Sequence, residues 1–370
     1  MLPTEHISRL EHTLQNPKYH AEGNAWIHTQ MVLKQYQDYA ASHDLSENEK
    51  KIFYWACLLH DIGKPEVSVW KDNRWTAKGH ESAGVPIARK ILHQQADISP
   101  AQRLQILDLV RWHHVPLRWM NDGKPLLAFQ RLATRTDLRI IGKMAAFDLE
   151  GRICEDKEYV RACYTRFNAE IVPQVEALTG NFDTLQAHYQ AATRSHKNAI
   201  WNAYKINEPV LWQKLLSRPS PPDEKAAFHC VISIGVSRCG KTTWLRENYP
   251  YALHLATSGW DLDGKLLENP YDRQRVLTTF NHHIASYYRQ HKTIVLDGNN
   301  LCAETRQTLV SLVRHLQAKV TMVFFDTSWE DVLARNEASE NPLSLEKLQE
   351  MYNDLRYPHP WEAHQLAVIS

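Results

Sequence analysis

The chain has 370 residues, 43% hydrophobic, 23% charged and 10% aromatic, with a formal net charge of +1. That is the composition of an ordinary soluble globular protein with material for two cores, and the whole-molecule charge gives no argument for a nucleic-acid partner. No apolar run is long enough to span a membrane, the N-terminus lacks a signal-peptide pattern, and the six cysteines (Cys57, Cys154, Cys163, Cys230, Cys239 and Cys302) form no CxxC pair; neither a disulfide framework nor a thiolate zinc site is suggested, and a cytoplasmic location without membrane partners is expected.

From His28 to about residue 215 the apolar residues recur at three- and four-residue steps, as in WIHTQMVLKQYQDYA and SPAQRLQILDLVRWHH, which predicts helices. His60 and Asp61 close the helical stretch FYWACLLHDIGKP, where an adjacent pair can reach one metal. His28, His80, His113, His114 and Asp148 lie in or beside other helical segments, so one bundle can bring them together. Imidazole and carboxylate together suit Mn²⁺, Fe²⁺, Co²⁺, Ni²⁺ or Zn²⁺, and two such ions activate water for attack on a phosphoester. Nearby, Arg131, Arg135 and Arg139 recur every four residues in RLATRTDLRIIGK; this predicts a shared basic helix face that can attract an RNA backbone.

The ordered set H…HD…H…H…D, in the words HAEGNAWIHT, LLHDIGKP, GHESAG, LVRWHH and AAFDLEGR, resembles the HD phosphohydrolase superfamily across roughly residues 20–155. The HD domain attached to bacterial tRNA CCA-adding enzymes, which acts on phosphoesters at RNA 3′ ends, is the most similar type. The resemblance implies that His28, His60, Asp61 and Asp148 hold one metal and that His80 and His113 help hold a second. His114 competes with His113, which the pattern V-R-x-H favours. Lys64 follows the HD helix and is placed to contact the scissile phosphate.

SRPSPPDEKA, over residues 217–226, carries three prolines and is the expected linker. Beyond it FHCVISIGV, KTIVLDGNN and KVTMVFFDT read as buried parallel strands, with helical stretches such as CAETRQTLVSLVRHLQ between them; alternation of this kind predicts a parallel sheet covered on both faces. Gly235, Val236, Ser237, Arg238, Cys239, Gly240, Lys241 and Thr242 match GxxxxGK[ST] between a strand and a helix. The glycines let backbone N–H groups face phosphate, the helix N-terminus adds its dipole, Lys241 reaches the outer phosphates, and Thr242 can ligate Mg²⁺. Thr243 completes the turn. Asp261 lies beyond the loop and Asp297 ends the strand TIVLD; carboxylates at strand ends face the ligand crevice, where one can serve as base and another can orient metal-bound water.

Residues 229–359 resemble the kinase domain of polynucleotide 5′-kinases. GKTT is followed by WLRE, Asp261 stands at the spacing of that family's general base, LDGNN supplies Asp297 and Asn299 as a D-x-N at a strand end, and WEDVLARNEAS…NPLSLEKLQEMYNDL resembles a lid. The resemblance implies that Asp261 takes the proton of a 5′-hydroxyl and that Arg335 packs on or near the nucleotide. Two family arginines are replaced here by Gly264, with Lys265 beside it, and by Ser339; Arg238 or Arg246 can compensate.

Taken whole, the chain resembles bacterial HD–polynucleotide kinase fusions. The expected fold is multidomain: an all-α HD bundle over residues 1–216 and an α/β P-loop NTPase fold over residues 227–370. The resemblance implies end healing, with metal-dependent 2′,3′-cyclic phosphodiesterase and phosphomonoesterase activity on RNA 3′ ends and an ATP-dependent 5′-hydroxyl polynucleotide kinase. Its cofactors would be ATP and Mg²⁺ for the kinase, and a transition metal such as Mn²⁺, Co²⁺ or Ni²⁺ for the HD site. Partners would be RNA or DNA ends and, since no adenylyltransferase-type lysine motif is recognisable, a separate polynucleotide ligase. Three other readings stand beside it: a nucleotide-metabolism enzyme joining an HD nucleotidase to a small-molecule kinase, a nucleotide-gated regulatory HD hydrolase, and a non-enzymatic RNA-binding protein, which leaves both ligand sets unexplained.

Overall fold

A computed structural model describes residues 2–180, 182–205, 226–256, 284 and 292–370. The chain forms two compact units, Met1–Leu185 and Gln186–Ser370.

The first unit is a helical bundle. Its elements begin where the sequence supplies caps. Helix α1 (Ala25–Ser42) starts on Asn24, whose side chain accepts from the Ile27 N–H. Helix α2 (Glu47–Leu59) starts on the Ser46/Glu49 capping box, and α4 (Pro100–Trp112) on a Ser99/Gln102 box with proline in the first turn. Between them, α3 (His80–His93) follows Gly79 at φ +88°. Helix α5 (Leu138–Glu150) begins on Asp137. Helix α2 packs on α1, α4 and α5, and α3 packs on α4; Phe53, Leu59, Ile91, Ile106, Val110 and Met144 are among the residues of the buried core.

The positions that matter chemically lie at helix ends. His28 is in the first turn of α1, His60 follows α2, His80 opens α3, His113 follows α4 and Asp148 is in the last turn of α5. Helix middles supply the apolar core, and the termini bring the polar residues to one place.

The expected helical bundle is present and carries one small addition: Val69–Lys71 (β1) and Arg74–Thr76 (β2) form an antiparallel hairpin, in which Trp70 pairs with Trp75. Asp72 and Asn73 both have positive φ, 50° and 58°, as a tight two-residue hairpin turn requires. One expectation for this unit is corrected: Arg131, Arg135 and Arg139 do not share one helix face. The helix Leu126–Ala133 stops short of Arg135, and Asp137 restarts the chain by accepting from the Arg139 N–H. Arg139 is then held by Asp137 and Glu176, and Arg135 by Asp108.

The second unit is an α/β fold on a five-stranded parallel sheet. Its strands are β3 (Phe228–Ile234), β4 (Leu253–Ala256), β5 (Thr293–Asp297), β6 (Ala318–Phe325) and β7 (Gln365–Ile369), in the order β4-β5-β3-β6-β7. Strand β3 is central and buried from Cys230 to Ile234, pairing Val231 with Val295 on one side and with Thr321 on the other. The chain proceeds to one side of β3 and then to the other, so the carboxyl end of β3 opens on a crevice. The short strands β4 and β7 were not expected from the sequence.

The expected boundary at residue 216 and the linker at 217–226 fall almost wholly outside the described residues. The division between units comes earlier, because residues after Leu185 pack on the sheet unit. The Tyr189 hydroxyl donates to the Ala363 carbonyl at 2.6 Å, Asn198 pairs with His364 at 2.9 Å, and the Arg314 guanidinium lies 4.9 Å from the Trp201 ring centre. A second tie lies deeper: buried Arg306 makes a two-pronged ion pair with Glu362, at 2.7 and 3.0 Å, while donating to the carbonyls of Asn300, Leu301 and Arg356.

Candidate functional sites

In the helical unit the six expected ligands converge, and His114 joins them. His28 Nε2 lies 2.9 Å from Asp148 Oδ1 and 3.2 Å from His60 Nε2. Asp61 sits between two groups: its Oδ2 is 3.2 Å from His60 Nε2, and its Oδ1 is 3.2 Å from His80 Nε2. The His113 ring centre is 5.3 Å from that of His60 and 5.6 Å from that of His80. Among the described residues three trios have donor atoms close enough to share a cation: His28, His60 and Asp148; His80, His113 and His114; and His20, Glu22 and His28.

The imidazoles are oriented by their outer nitrogens. His60 Nδ1 meets the Cys57 carbonyl at 2.9 Å, His80 Nδ1 the Ala77 carbonyl at 2.8 Å and His113 Nδ1 the Val110 carbonyl at 3.0 Å. Each Nδ1 must carry the proton to donate there, so each Nε2 presents a lone pair to the cluster. His113 Nε2 is buried with no hydrogen-bond partner, a costly state that a metal ion relieves. This donor set fits divalent transition metals.

Cations already face the carboxylates. Lys64 Nζ is 2.6 Å from Asp61 Oδ2 and donates to Gln15 at 2.5 Å; Arg152 pairs with Asp148, its Nε at 3.1 Å. Burial alone would raise both carboxyls. For Asp61 the adjoining His60 and the Lys64 charge outweigh burial, and for Asp148 the Arg152 charge and hydrogen bonds from His114 and His28 do so, holding both well below the usual carboxylate range. Burial and the neighbouring imidazoles together keep His113 neutral, as a ligand must be.

Three participants were present in the quoted sequence words but not singled out. Glu22 accepts from His20 at 2.9 Å and lies 3.0 Å from His28 Nδ1. Glu81 lies 3.4 Å from His114 Nδ1 and accepts from Arg118 at 2.9 Å. Arg152 is the third. Their roles depend on how five helix ends meet, which spacing does not encode. Glu22 orients His28 as a carboxylate behind a ligand imidazole, so Glu22→Gln is expected to weaken divalent-metal binding by roughly 10–100-fold, measured by metal titration followed calorimetrically.

Gly63 sets the approach of the Lys64 turn to α3. A Cβ there would stand 2.2 Å from the His80 carbonyl oxygen and 2.4 Å from the Gly84 nitrogen. Both are backbone atoms, so the two elements must separate. Gly63→Ala is expected to destabilise the helical unit by about 1–3 kcal/mol, read from the shift of its urea midpoint.

In the α/β unit Gly235–Thr242 follows β3 and leads into the helix Lys241–Asn248. A Cβ on Gly235 would stand 2.7 Å from Cys239 Sγ, and Arg238 and Gly240 take positive φ of 70° and 93°. Lys241 Nζ donates to the carbonyls of Gly235 and Val236 at 2.8 and 2.7 Å and to Asn299 Oδ1 at 3.0 Å. The Thr242 hydroxyl donates to Asp297 Oδ2 at 2.5 Å, so a hydroxyl and a carboxylate adjoin at one point, the oxygen donors that Mg²⁺ prefers. Arg335 reaches the loop, its Nη1 donating to the Cys239 carbonyl at 2.7 Å. Arg238 donates to the Asn341 carbonyl at 2.5 Å, and Asn336 brackets Leu343 with two bonds of 2.9 Å. Ser237, Arg238, Thr243, Arg246, Asp297 and Asn299 help to line a cavity of about 600 Å³ at this point. Asp261, with Gly264 and Lys265, lies outside the described residues.

Comparison with known proteins agrees with this division. The family model described as HD domain matches residues 25–150, and the one described as AAA domain matches residues 231–358. The multifunctional CCA protein of Halorhodospira halophila (strain DSM 244 / SL1) is 36% identical over 99 residues, which make up 27% of this chain and 21% of that protein. The chain thus spans about a fifth of that relative's length. No described helix is long and apolar enough to cross a membrane. The chain carries an N-terminal HD domain of the phosphohydrolase type and a C-terminal AAA domain with a P-loop of kinase-like build.

Proposed function

We propose that this chain is a bifunctional nucleic-acid end-healing enzyme of the cytoplasm. The helical unit opens 2′,3′-cyclic phosphates at RNA 3′ ends and removes the remaining monoester. The α/β unit phosphorylates 5′-hydroxyl ends of RNA or DNA with ATP. The observation that carries this reading is the presence, in one chain, of a buried imidazole–carboxylate cluster and a P-loop cavity. A break that leaves a cyclic phosphate on one side and a 5′-hydroxyl on the other needs both chemistries before a separate polynucleotide ligase can act. The partial likeness to a multifunctional CCA protein and the HD words resembling CCA-adding enzymes support an RNA 3′ end as the substrate.

In the helical unit His28, His60 and Asp148 would hold one divalent cation, and His80, His113 and His114 a second, with Asp61 between the two sets. Mn²⁺, Co²⁺ or Ni²⁺, when bound, would supply Lewis-acid charge and lower the pKa of water. Lys64 contacts the phosphate from beside Asp61.

In the α/β unit the backbone N–H groups of residues 235–243 cradle the ATP phosphates, with Lys241 on the outer ones and Arg335 near the nucleotide. Thr242 and Asp297 would hold Mg²⁺, and Asn299 orients the acceptor. The 5′-oxygen bonds to the γ-phosphorus as the bond to ADP breaks, and its proton passes to Asp261.

One short RNA with a 5′-hydroxyl and a 2′,3′-cyclic phosphate tests both activities. Incubated with the protein, ATP, and Mg²⁺ with or without a transition metal, it is expected to gain a 5′-phosphate and lose the cyclic end, as read by mass. An unchanged RNA, with free nucleotides turned over instead, would move the enzyme to nucleotide metabolism.

A further inference from the structure

The cavity over the histidine–aspartate cluster has walls that phosphate hydrolysis alone does not require. It measures about 560 Å³, and His80, His114, Lys64 and Arg152 lie on it. Tyr19, Trp75 and Tyr159 lie on it as well.

These aromatic side chains reach water. Tyr159 is 58% exposed and Tyr19 36%. Trp75 is half-buried and stands on the β1–β2 hairpin directly across from Trp70, which is 57% exposed and meets it edge-to-face at 5.5 Å between ring centres. Strands of three residues bury little, so two accessible tryptophans side by side are poorly explained as packing; such apolar exposure beside a cavity marks a binding surface. The Tyr159 hydroxyl donates to Asn121 at 2.8 Å, which fixes the edge of its ring. A cavity that places phosphate-handling groups next to aromatic side chains fits a ligand in which a phosphoester and a flat ring belong to one molecule.

We propose that Trp75 is the stacking platform for the terminal nucleobase of an RNA 3′ end, with Tyr19 and Tyr159 in the same subsite and Trp70 buttressing Trp75. This rests on the reading of the helical unit as a phosphoesterase acting on RNA 3′ ends, and it defines the substrate as a base-bearing end. Every nucleobase has a π-face, so the subsite admits all four bases.

The test uses the full chain and two RNAs labelled with fluorescein at the 5′ end. Both end in a 3′-phosphate, one on an ordinary nucleotide and one on an abasic ribose. Binding is read by anisotropy without ATP, and phosphate release is read separately with Mn²⁺. The wild-type protein is expected to bind the base-bearing end about ten-fold more tightly, the scale of one stacked base. Trp75→Ala is expected to bring that ratio close to one, and Trp75→Phe to keep most of it. Equal binding of the two RNAs by the wild type overturns the subsite, and so does a Trp75→Ala variant that weakens both ends equally. The wild-type comparison decides the matter even if Trp75→Ala fails to fold. Base discrimination without hydrolysis of any RNA end removes the phosphoesterase reading and leaves the subsite standing. Hydrolysis of both ends without discrimination does the reverse.

Discussion

Asp61→Ala is expected to lower release of the 3′-terminal phosphate by roughly 10³-fold while 5′-phosphorylation proceeds at the wild-type rate. Loss of an outer carboxylate behind a ligand costs about 10–100-fold, and Asp61 occupies a more central place. One of its oxygens is 3.2 Å from His60 Nε2 and the other 3.2 Å from His80 Nε2, so its removal affects the His60 and His80 trios at once. It also frees buried Lys64, 2.6 Å away, to repel a cation in the same space. Asp61→Asn keeps the shape and discards the charge, and is expected to lose nearly as much. Parallel assays of the two RNA ends make the comparison. Loss of both activities in a folded protein would mean that the sites are not independent.

Lys241→Ala is expected to do the opposite, cutting 5′-phosphorylation by roughly 10²–10³-fold, the cost of one preorganised charge donor, and sparing the 3′ end. Lys241 is buried and lies across the loop, bonded to two of its carbonyls and to Asn299. It is the cation that can follow charge onto the outer phosphates as it develops. ATP binding read separately from transfer distinguishes a collapsed loop from a lost catalytic charge: binding weakened as much as transfer would show that the lysine mainly holds the loop.

Much of this was legible because the signals were local. A β-branched run ending in Gly235, followed by Lys241 and a helical stretch, specifies a P-loop in any context. The convergence of His28, His60, Asp61, His80, His113 and Asp148 was legible only as an ordered set, since each residue alone is unremarkable. The choice between His113 and His114 was illegible because the chain turns where α4 ends, and both rings enter the cluster. Glu22, Glu81 and Arg152 were hidden for the same reason: their partners lie across the bundle. The hairpin carried a readable Asp-Asn turn, but its three-residue strands are too short for periodicity to register. The arginine face failed because Asp137 recruits the backbone into a new helix, and capping overrides a four-residue spacing. The division between units escaped because Tyr189 and Trp201 are apolar helix residues whose packing partners, Trp361 and Arg314, are far along the chain.

The position of β7 has a consequence in time. Gln365–Ile369 pairs with β6 along its length, and Glu362, just before it, neutralises the buried Arg306 that carries the Asn300–Leu301 turn beside the P-loop. The helical unit, by contrast, ends at Leu185. A ribosome adding about 5–20 residues per second therefore finishes the helical unit about ten to forty seconds before β7 is made. Throughout that interval a nascent chain carries a complete histidine–aspartate cluster while the sheet still lacks the strand that covers β6.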